Sequence, residues 1–542
     1  MCGIALIVGA GAEPALFRQM MRPLAPRGDI EEAILAPGLF AGTHRLRIVD
    51  RERAVQPLLS RDRRFLLCYN GEVFNHRELR AELAAAGRAP RTASDTEVVL
   101  DAFDEWGPGA TRRLRGEFAL AIVERATGQT FLARDPLGVK PLYWSRRDGR
   151  LHVASEVKAL VPVGAPVTEV PPGHHGWAAP DGSGSLGEPA LVSYVDLLRL
   201  GADQPPVGDP DEAAKLVREA VRESIRVRVD TDLTVGVVLS GGLDSSVTLL
   251  NVRELHPDCV AFTVGAPGSE DLEYARRLTR QLGVAHEVVE VAPSAIRLAQ
   301  IRETIRIAEL TEYGDTINAV VSVSLFRRVR EAGIKVVLTG DGSDELFGGY
   351  PMYHEAGAQT RRLFLHRIRN LCRTELQRVD RASMGHGVEA RVPFLDLSIV
   401  ELAMRLPMDL KLRDGQEKWI LRRAFDDMLP EYIRDRPKNP MSYASGLHER
   451  ARLYKPLYPR LHRGFGYDLL EPVRRDFDSV LARCGNDLDR AVAEGGARQD
   501  YTAYERLRDL AGALLRSWQA SGDACGAAKG QRSPSQPHTR RR

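Results

Sequence analysis

The chain has 542 residues, which at roughly 100–200 residues per domain means more than one domain and ample material for two buried cores. Hydrophobic residues make up 43% and charged residues 27%, with a mean hydropathy of −0.26, which excludes the disordered and membrane classes. Lys+Arg 76 against Asp+Glu 73 leaves a formal charge of +3, far too little for a nucleic-acid footprint, so the expected partners are small molecules. Six scattered cysteines lack metal-ligand or disulfide-framework spacing and read as reduced thiols. The apolar start from Met1 to Ala10 has no basic leader, and no run of about 20 apolar residues follows, so no membrane partner is expected and a cytoplasmic enzyme is the default.

In chain order, Ile4–Val8, Phe65–Tyr69, Ala119–Val123 and Thr130–Ala133 are short apolar runs bounded by Gly, Asn or Asp, as in an antiparallel α+β layer structure. Ala126-Thr127-Gly128-Gln129 joins two of them as a hairpin connection. The stretch GADQPPVGDP, Gly201 to Pro210, breaks the pattern and marks the boundary. After it a helical period over Asp211–Arg228 alternates with the continuous apolar runs Leu233–Leu239, Cys259–Val264 and Lys335–Leu338, as expected of a parallel sheet. Beyond about Ser521 the tail offers almost nothing to bury and is expected to be disordered.

The sequence opens Met1-Cys2-Gly3-Ile4, so loss of the initiator methionine would leave one residue carrying both a thiol and an α-amine. An α-amine, with a reference pKa of about 7.7–8.0, accepts a proton near neutrality and can activate the neighbouring thiol. The same half contains His44-Arg45-Leu46-Arg47-Ile48-Val49-Asp50, Tyr69-Asn70-Gly71-Glu72-Val73-Phe74-Asn75, Ser94-Asp95 and Arg134-Asp135-Pro136-Leu137-Gly138. Together, from Cys2 to about residue 180, these resemble the glutaminase domain of class II glutamine amidotransferases, an N-terminal-nucleophile layered sandwich with antiparallel sheets. The resemblance implies that Cys2 attacks the side-chain amide of glutamine, that Asn70 and Gly71 donate to the oxyanion, and that Arg45, Leu46, Arg47, Ile48, Val49, Glu72 and Asp95 line the glutamine site. Arg45 and Asp95 would take the ligand's carboxylate and ammonium. Taken alone, Asp95 also reads as a helix cap.

Ser240-Gly241-Gly242-Leu243-Asp244-Ser245-Ser246 follows an apolar strand and precedes a helical stretch, a glycine turn that lets backbone N–H groups and a helix N-terminus grip pyrophosphate. It lacks the lysine and spacing of a kinase-type phosphate loop. Thr339-Gly340-Asp341-Gly342-Ser343-Asp344-Glu345 follows a second apolar strand, and its three carboxylates beside glycines suggest a hard cation. Asp244 and Asp344 suffice for a Mg²⁺ that accompanies ATP. Only nine of the 76 cations are lysines, which draws attention to Lys418 in Glu417-Lys418-Trp419-Ile420.

These loops, with Arg381-Ala382-Ser383-Met384 and Gly387 to Asp396, resemble the synthetase domain of glutamine-hydrolysing asparagine synthetases over about residues 211 to 450. The implied organisation is a glutaminase domain at 2–190, a linker at 191–210, an α/β parallel-sheet adenylating domain at 211–520 and a tail at 521–542. The implied reaction activates aspartate as an acyl-adenylate and displaces AMP with ammonia from glutamine. Leu239, Ser240, Gly241, Gly242, Asp244, Ser245, Val264, Thr339 and Gly340 would bind ATP; Asp341 and Lys418 would act on the acyl-adenylate; a homodimer is a candidate assembly. Three departures stand out. Asp341 occupies a position usually held by Glu, Thr316-Ile317-Asn318-Ala319-Val320 lacks the family's arginine, and Met441-Ser442-Tyr443-Ala444-Ser445-Gly446 replaces a Phe-Ser-Asp-Gly region. The loss of that arginine makes another carboxylate the alternative acceptor.

Overall fold

The computed structural model describes residues 1–471 except 311–312, 351, 356, 358–359, 440–443, 448–449 and 452. All belong to one compact unit, Met1–Ala497; the second unit, Arg498–Arg542, lies outside them, as do the expected disordered tail and the Met441–Tyr443 departure.

Two sheets form the N-terminal region. One runs Ile30–Ala36, Leu39–Arg45, Cys2–Val8, Arg150–Ala154, Tyr143–Arg147, Val167–Glu169, Leu470–Glu471. The other runs Ala190–Ser193, His174–Ala178, Thr130–Arg134, Gly116–Glu124, Phe65–Val73, Leu58–Leu59. The strands from the first 193 residues pair antiparallel, with Cys2 opposite Arg45, and Asn70 opposite Ala119. The apolar runs are continuous because both faces of each sheet are covered. Ile4, Leu6 and Val8 meet Leu66, Cys68, Ala119 and Ala121 between the sheets, while Ala5 and Ile7 turn outward onto Phe17, Met20 and Met21 of the helix Pro14–Met21. Phe65, Leu67 and Tyr69 likewise pack against the helix Asp95–Trp106. The layers are therefore helix, sheet, sheet, helix, and the expected hairpin at Ala126–Gln129 joins Gly116–Glu124 to Thr130–Arg134.

After the helix Pro210–Arg228 the chain forms a five-stranded parallel sheet in the order Ala285–Glu290, Val260–Gly265, Val235–Val238, Val336–Leu338, Glu389–Arg391. Val235–Val238 is flanked on one side by the next strand in sequence and on the other by a strand a hundred residues later. The strand order reverses there, and the crevice at the carboxyl ends is where open parallel sheets bind ligands. This strand, Val235–Val238, is shorter than the expected Leu233–Leu239, although the Leu239 N–H still donates to the Phe262 carbonyl (2.8 Å) as the chain enters the glycine turn.

The two regions meet through buried charge. Arg27 reaches Glu156 at 2.6 Å and grips Asp380 at 2.9 and 3.2 Å, and Arg381 reaches Glu309 at 2.8 Å. A second set joins Lys140 to Glu117 (3.1 Å), and Arg228 to Glu117 (3.2 Å) and Asp396 (2.9 Å). One late segment crosses the expected boundary: Leu470–Glu471 adds to the edge strand Val167–Glu169, and does so in parallel.

Candidate active sites

Cys2 begins an interior strand of the first sheet and is 3% exposed. Its backbone N–H donates to Asn70 Oδ1 (3.0 Å), and Arg27 Nε donates to its carbonyl (3.1 Å). Gln56 Nε2 lies 3.6 Å from its Sγ, with Gln56 fixed in turn by the Tyr69 N–H on its Oε1 (2.9 Å). Burial pushes the Cys2 thiol up, against the opposing pull of the N-terminal amine, the Leu46 N–H and Arg45. The α-nitrogen of Cys2 is still an amide here, because Met1 precedes it and its ammonium pairs with Glu389 Oε2 at 2.9 Å. Only after Met1 is cleaved does that nitrogen become an amine able to take a proton.

Beside the thiol, Asn70 spends its oxygen on Cys2 and leaves Nδ2 buried with no partner among the described residues. A buried, unspent amide donor is costly to keep unless something fills it. Gly71 follows in a strand where an added Cβ would sit 2.3 Å from Glu117 O, so only glycine lets this backbone lie against its neighbour. Asp95 accepts from the Tyr69 hydroxyl (2.8 Å) and the Val73 N–H (3.2 Å). Burial pushes its carboxyl up, opposed by His76, Tyr69 and Val73. It is not the helix cap: Ser94 performs that task by accepting from Thr96 N–H at 3.1 Å, which frees Asp95 to face inward. Arg45 is braced through Nε by Glu32 (3.0 Å). Leu46, Ile48 and partly buried Val49 turn their side chains into a cluster with Met1, Val336 and Met384, which leaves these three residues only their backbone to offer a ligand. Arg47 N–H reaches Asp29 Oδ2 at 3.5 Å, and Glu72 is buried 3.6 Å from Arg391.

At the switch point of the parallel sheet, the turn Ser240–Gly242 opens the helix Leu243–Leu255. Ser245 Oγ lies 3.2 Å from the Ser240 N–H and from the Gly242 carbonyl, so its hydroxyl shapes the loop. Leu239 and Val264 are buried at the ends of adjacent strands. Thr339 is buried, and Gly340 is packed so closely on the neighbouring loop that a Cβ would come within 2.8 Å of the Asp244 side chain.

Lys418 Nζ lies 2.5 Å from both Asp244 Oδ2 and Asp344 Oδ1, drawing the two loops together. It sits at the entry to a helix, not inside one. It precedes Trp419–Ala424 with φ +55°, a left-handed conformation that a lysine adopts only under constraint. A second lysine, Lys438, reaches Asp344 Oδ2 at 2.6 Å. Burial works against the charge of Asp344, yet Lys418 and Lys438 hold its carboxyl well below the usual range. Gly349 completes the clasp: a Cβ there would lie 1.9 Å from Asp344 Oδ1 and 2.3 Å from Lys418 Cε.

The three acidic residues of the second loop do not act together. Asp341 turns to Arg378 (2.6 Å), and Glu345 is buried against the Tyr350 hydroxyl, where burial, then Glu375 and Asp344, push it to about 8. The expected cation pair therefore reduces to Asp244 and Asp344. These fit a Mg²⁺ that takes one or two protein carboxylates: Asp244 Oδ2 and Asp344 Oδ1 converge on one point, which Lys418 Nζ occupies here.

Four residues in these centres escaped sequence reasoning. Lys438, Arg378, Gln56 and Arg436 stand in irregular or polar segments, and Arg436 braces the phosphate turn by donating to Ser240 O (3.0 Å) and Asp271 Oδ1 (2.9 Å). The scarcity of lysine was the one signal available, and it applied to Lys438 as much as to Lys418.

Comparison with known proteins agrees with this pair of centres. A glutamine amidotransferase domain matches residues 1–172, and asparagine synthase matches residues 216–368 and 356–465. Asparagine synthetase B [glutamine-hydrolyzing] of Escherichia coli is 35% identical over 450 residues, spanning 79% of each chain. The chain belongs to the glutamine-hydrolysing asparagine synthetase family. Family members of the same description from Sandersonia aurantiaca (33% identical, 82% of this chain and 87% of that one) and Schizosaccharomyces pombe (33%, 79% and 80%) extend the likeness to plants and fungi. As in that family's implied architecture, the amidotransferase region is antiparallel and the synthase region parallel. No described helix is long and apolar enough to cross a membrane.

Proposed function

We propose that the protein is a glutamine-dependent asparagine synthetase: it releases ammonia from glutamine at Cys2 and uses it to amidate aspartate activated by ATP, with AMP, pyrophosphate and glutamate as the other products. The observation that carries this reading is the presence, in one compact unit, of a buried thiol beside an unpartnered amide donor and of a lysine-clamped carboxylate pair at a parallel-sheet switch point. The substrates are small molecules, and the cytoplasm, where ATP and glutamine are plentiful, suits them.

At the first centre, with Met1 removed, the Cys2 amine takes the thiol proton and the sulfur attacks the glutamine amide carbon. The negative charge that develops on oxygen meets Asn70 Nδ2 and the Gly71 N–H, contacts that strengthen as the charge forms. The amine returns its proton to the leaving ammonia, and water then cleaves the thioester to glutamate. Arg45 and Asp95 hold the carboxylate and ammonium of the ligand.

At the second centre the Ser240–Gly242 turn and the helix it opens receive the phosphates, as helix N-termini favour anions. Leu239, Val264, Thr339 and Gly340 line the nucleotide's approach. Lys418 and Lys438 neutralise the charge that grows on the departing pyrophosphate. Asp244 and Asp344 would hold Mg²⁺, which, when bound, withdraws charge from the phosphate oxygens. Asp341, held by Arg378, faces the acyl group.

The test is Cys2→Ala. With glutamine as nitrogen donor, amide formation should fall to background; with ammonium chloride it should continue within a fewfold of the parent rate, with one AMP per amide. Amide formed from glutamine at the parent rate would overturn the reading.

Asn318 favours a second reading, in which the acceptor is a different carboxylate. Its Oδ1 is buried with no partner among the described residues, and Arg378, the cation at Asp341, is already matched by that carboxylate. A panel of carboxylates assayed for AMP release separates the two: activity on aspartate supports the first, and activity only on others the second.

A further inference from the structure

When Cys2 gives up its proton, negative charge sits on a buried sulfur, and a buried charge needs a partner. In the proposed steps Asn70 and Gly71 serve the substrate oxygen; the sulfur has a neighbour of its own. Gln56 is 2% exposed and stands in the irregular segment between the strands Leu39–Arg45 and Leu58–Leu59. Its Nε2 lies 3.6 Å from Cys2 Sγ, a hydrogen-bonding distance that the larger radius of sulfur allows.

The way the Gln56 amide faces is fixed by its other partners. The Tyr69 backbone N–H can only donate, and it lies 2.9 Å from Oε1, so the amide oxygen faces the strand and the NH2 group faces the thiol. One N–H of that group goes to Thr96 Oγ1 at 3.4 Å, which leaves the other for sulfur. The backbone N–H of Gln56 donates to Glu32 Oε2 (3.1 Å), the same oxygen that braces Arg45 Nε (3.0 Å). One carboxylate thus fixes both the donor at the sulfur and the arginine proposed to take the ligand's carboxylate. The titratable groups that face the thiol are the N-terminal amine, Arg45, Asp95 and Cys68. Among the described residues, Gln56 alone brings a neutral side-chain donor to the sulfur.

We infer that Gln56 is a catalytic residue of the first centre: its Nε2–H donates to the Cys2 sulfur and stabilises the thiolate that attacks the amide. This rests on the proposed role of Cys2 as nucleophile. An N–H cannot accept a proton, so the contact favours the ionised sulfur over the thiol and strengthens as the proton leaves.

The experiment is S-alkylation of Cys2 by iodoacetamide in the processed full-length protein, followed across pH by mass spectrometry of the N-terminal peptide, which separates Cys2 from the other cysteines. Gln56→Met removes the amide at similar length. Its pH of half-maximal alkylation should rise by about 1, as loss of a hydrogen bond to a charged group requires. At neutral pH its kcat for glutamine hydrolysis should fall about tenfold with KM within about twofold. Gln56→Glu keeps an oxygen for the Tyr69 N–H, and it carries the test if Gln56→Met does not fold. A carboxyl is more acidic than a thiol, so it ionises first and sets an anion beside the sulfur; the half-point should rise further than in Gln56→Met. The inference is overturned if the half-point stays at the parent value in either folded variant, or if KM rises while kcat is kept, since Gln56 would then serve only the shape of the site. Alkylation needs no glutamine, so a Cys2 that proved to act on a different amide would leave this measurement equally decisive.

Discussion

Around Cys2 the structure holds its reacting groups with neutral hydrogen bonds, whereas around Asp344 it holds them with charge. In the first centre, the Cys2 amide and thiol, Asn70, Gln56 and the Tyr69 backbone form a chain of amide and thiol contacts that ends in one unspent donor, Asn70 Nδ2. In the second, two lysines and two aspartates neutralise one another until phosphates arrive. The difference follows from the ligands. An amide becomes an anion only in the transition state, so its hole can be kept ready and neutral. A triphosphate is an anion from the start, and the lysines that await it would repel each other without Asp244 and Asp344 between them.

That contrast has unequal consequences when one group is removed. Lys418→Ala strips the shared cation from two carboxylates at once, leaving them facing each other, and should slow pyrophosphate release about a thousandfold, while glutamate release from glutamine stays within a fewfold. Pyrophosphate and glutamate measured in the same reaction check it. Equal loss of both would mean that Lys418 holds the fold rather than the nucleotide. Asn70→Ala removes a single neutral donor, and the expected loss is about 10²–10³-fold in kcat for glutamine with little change in KM, since the contact matures only in the transition state. A rise in KM alone would assign Asn70 to ground-state binding.

The two centres also differ in how far the sequence exposes them. Strand, turn and helix around Ser240 are contiguous, so a local reading places that loop at the end of a parallel strand, where it lies. Cys2, Asn70 and Asp95 come from three separate segments, and what brings them together is strand pairing and the sheet-to-helix packing of Tyr69, visible only through resemblance. Lys438 lies 94 residues from the carboxylate it reaches, in Arg-Pro-Lys-Asn-Pro, a stretch with neither helical nor strand period. No local rule selects it. The three-carboxylate loop shows the complementary limit: spacing shows that Asp341, Asp344 and Glu345 are near one another, but not that Asp341, ahead of the short helix Ser343–Phe347, meets Arg378 while the helix turns Asp344 to the lysines and Glu345 to Tyr350. The two-residue strand Leu470–Glu471 is too short to carry any periodic signal, so its addition to the N-terminal sheet is a tertiary event alone.

The smallest expected effect on rate, and a clear one on stability, lies between the centres. Asp380 touches no substrate in the proposed reaction; it joins Arg27, which also holds the Cys2 carbonyl, to Arg381. Burial works against its charge, but Arg27 and Arg381 outweigh that and hold its carboxyl down to about 2. Against an unfolded value of about 3.9, the lowered folded value makes ionised Asp380 a stabilising group. Its contribution is fully present above about pH 4 and is lost as pH falls toward 2, through protonation of the folded form. Asp380→Asn leaves both arginines without their shared carboxylate and should cost about 3 kcal/mol at neutral pH. The same variant should unfold with a shallower dependence on pH between about 4 and 2, because the group that gains a proton there is gone. Acid-unfolding curves of the two proteins, followed by tryptophan fluorescence, check both statements. If Asp380→Asn shifted the midpoint without changing the slope, the acid sensitivity of the seam would belong to Glu389, which Arg391 and, as long as Met1 is retained, the Met1 ammonium hold, against burial, at about 2.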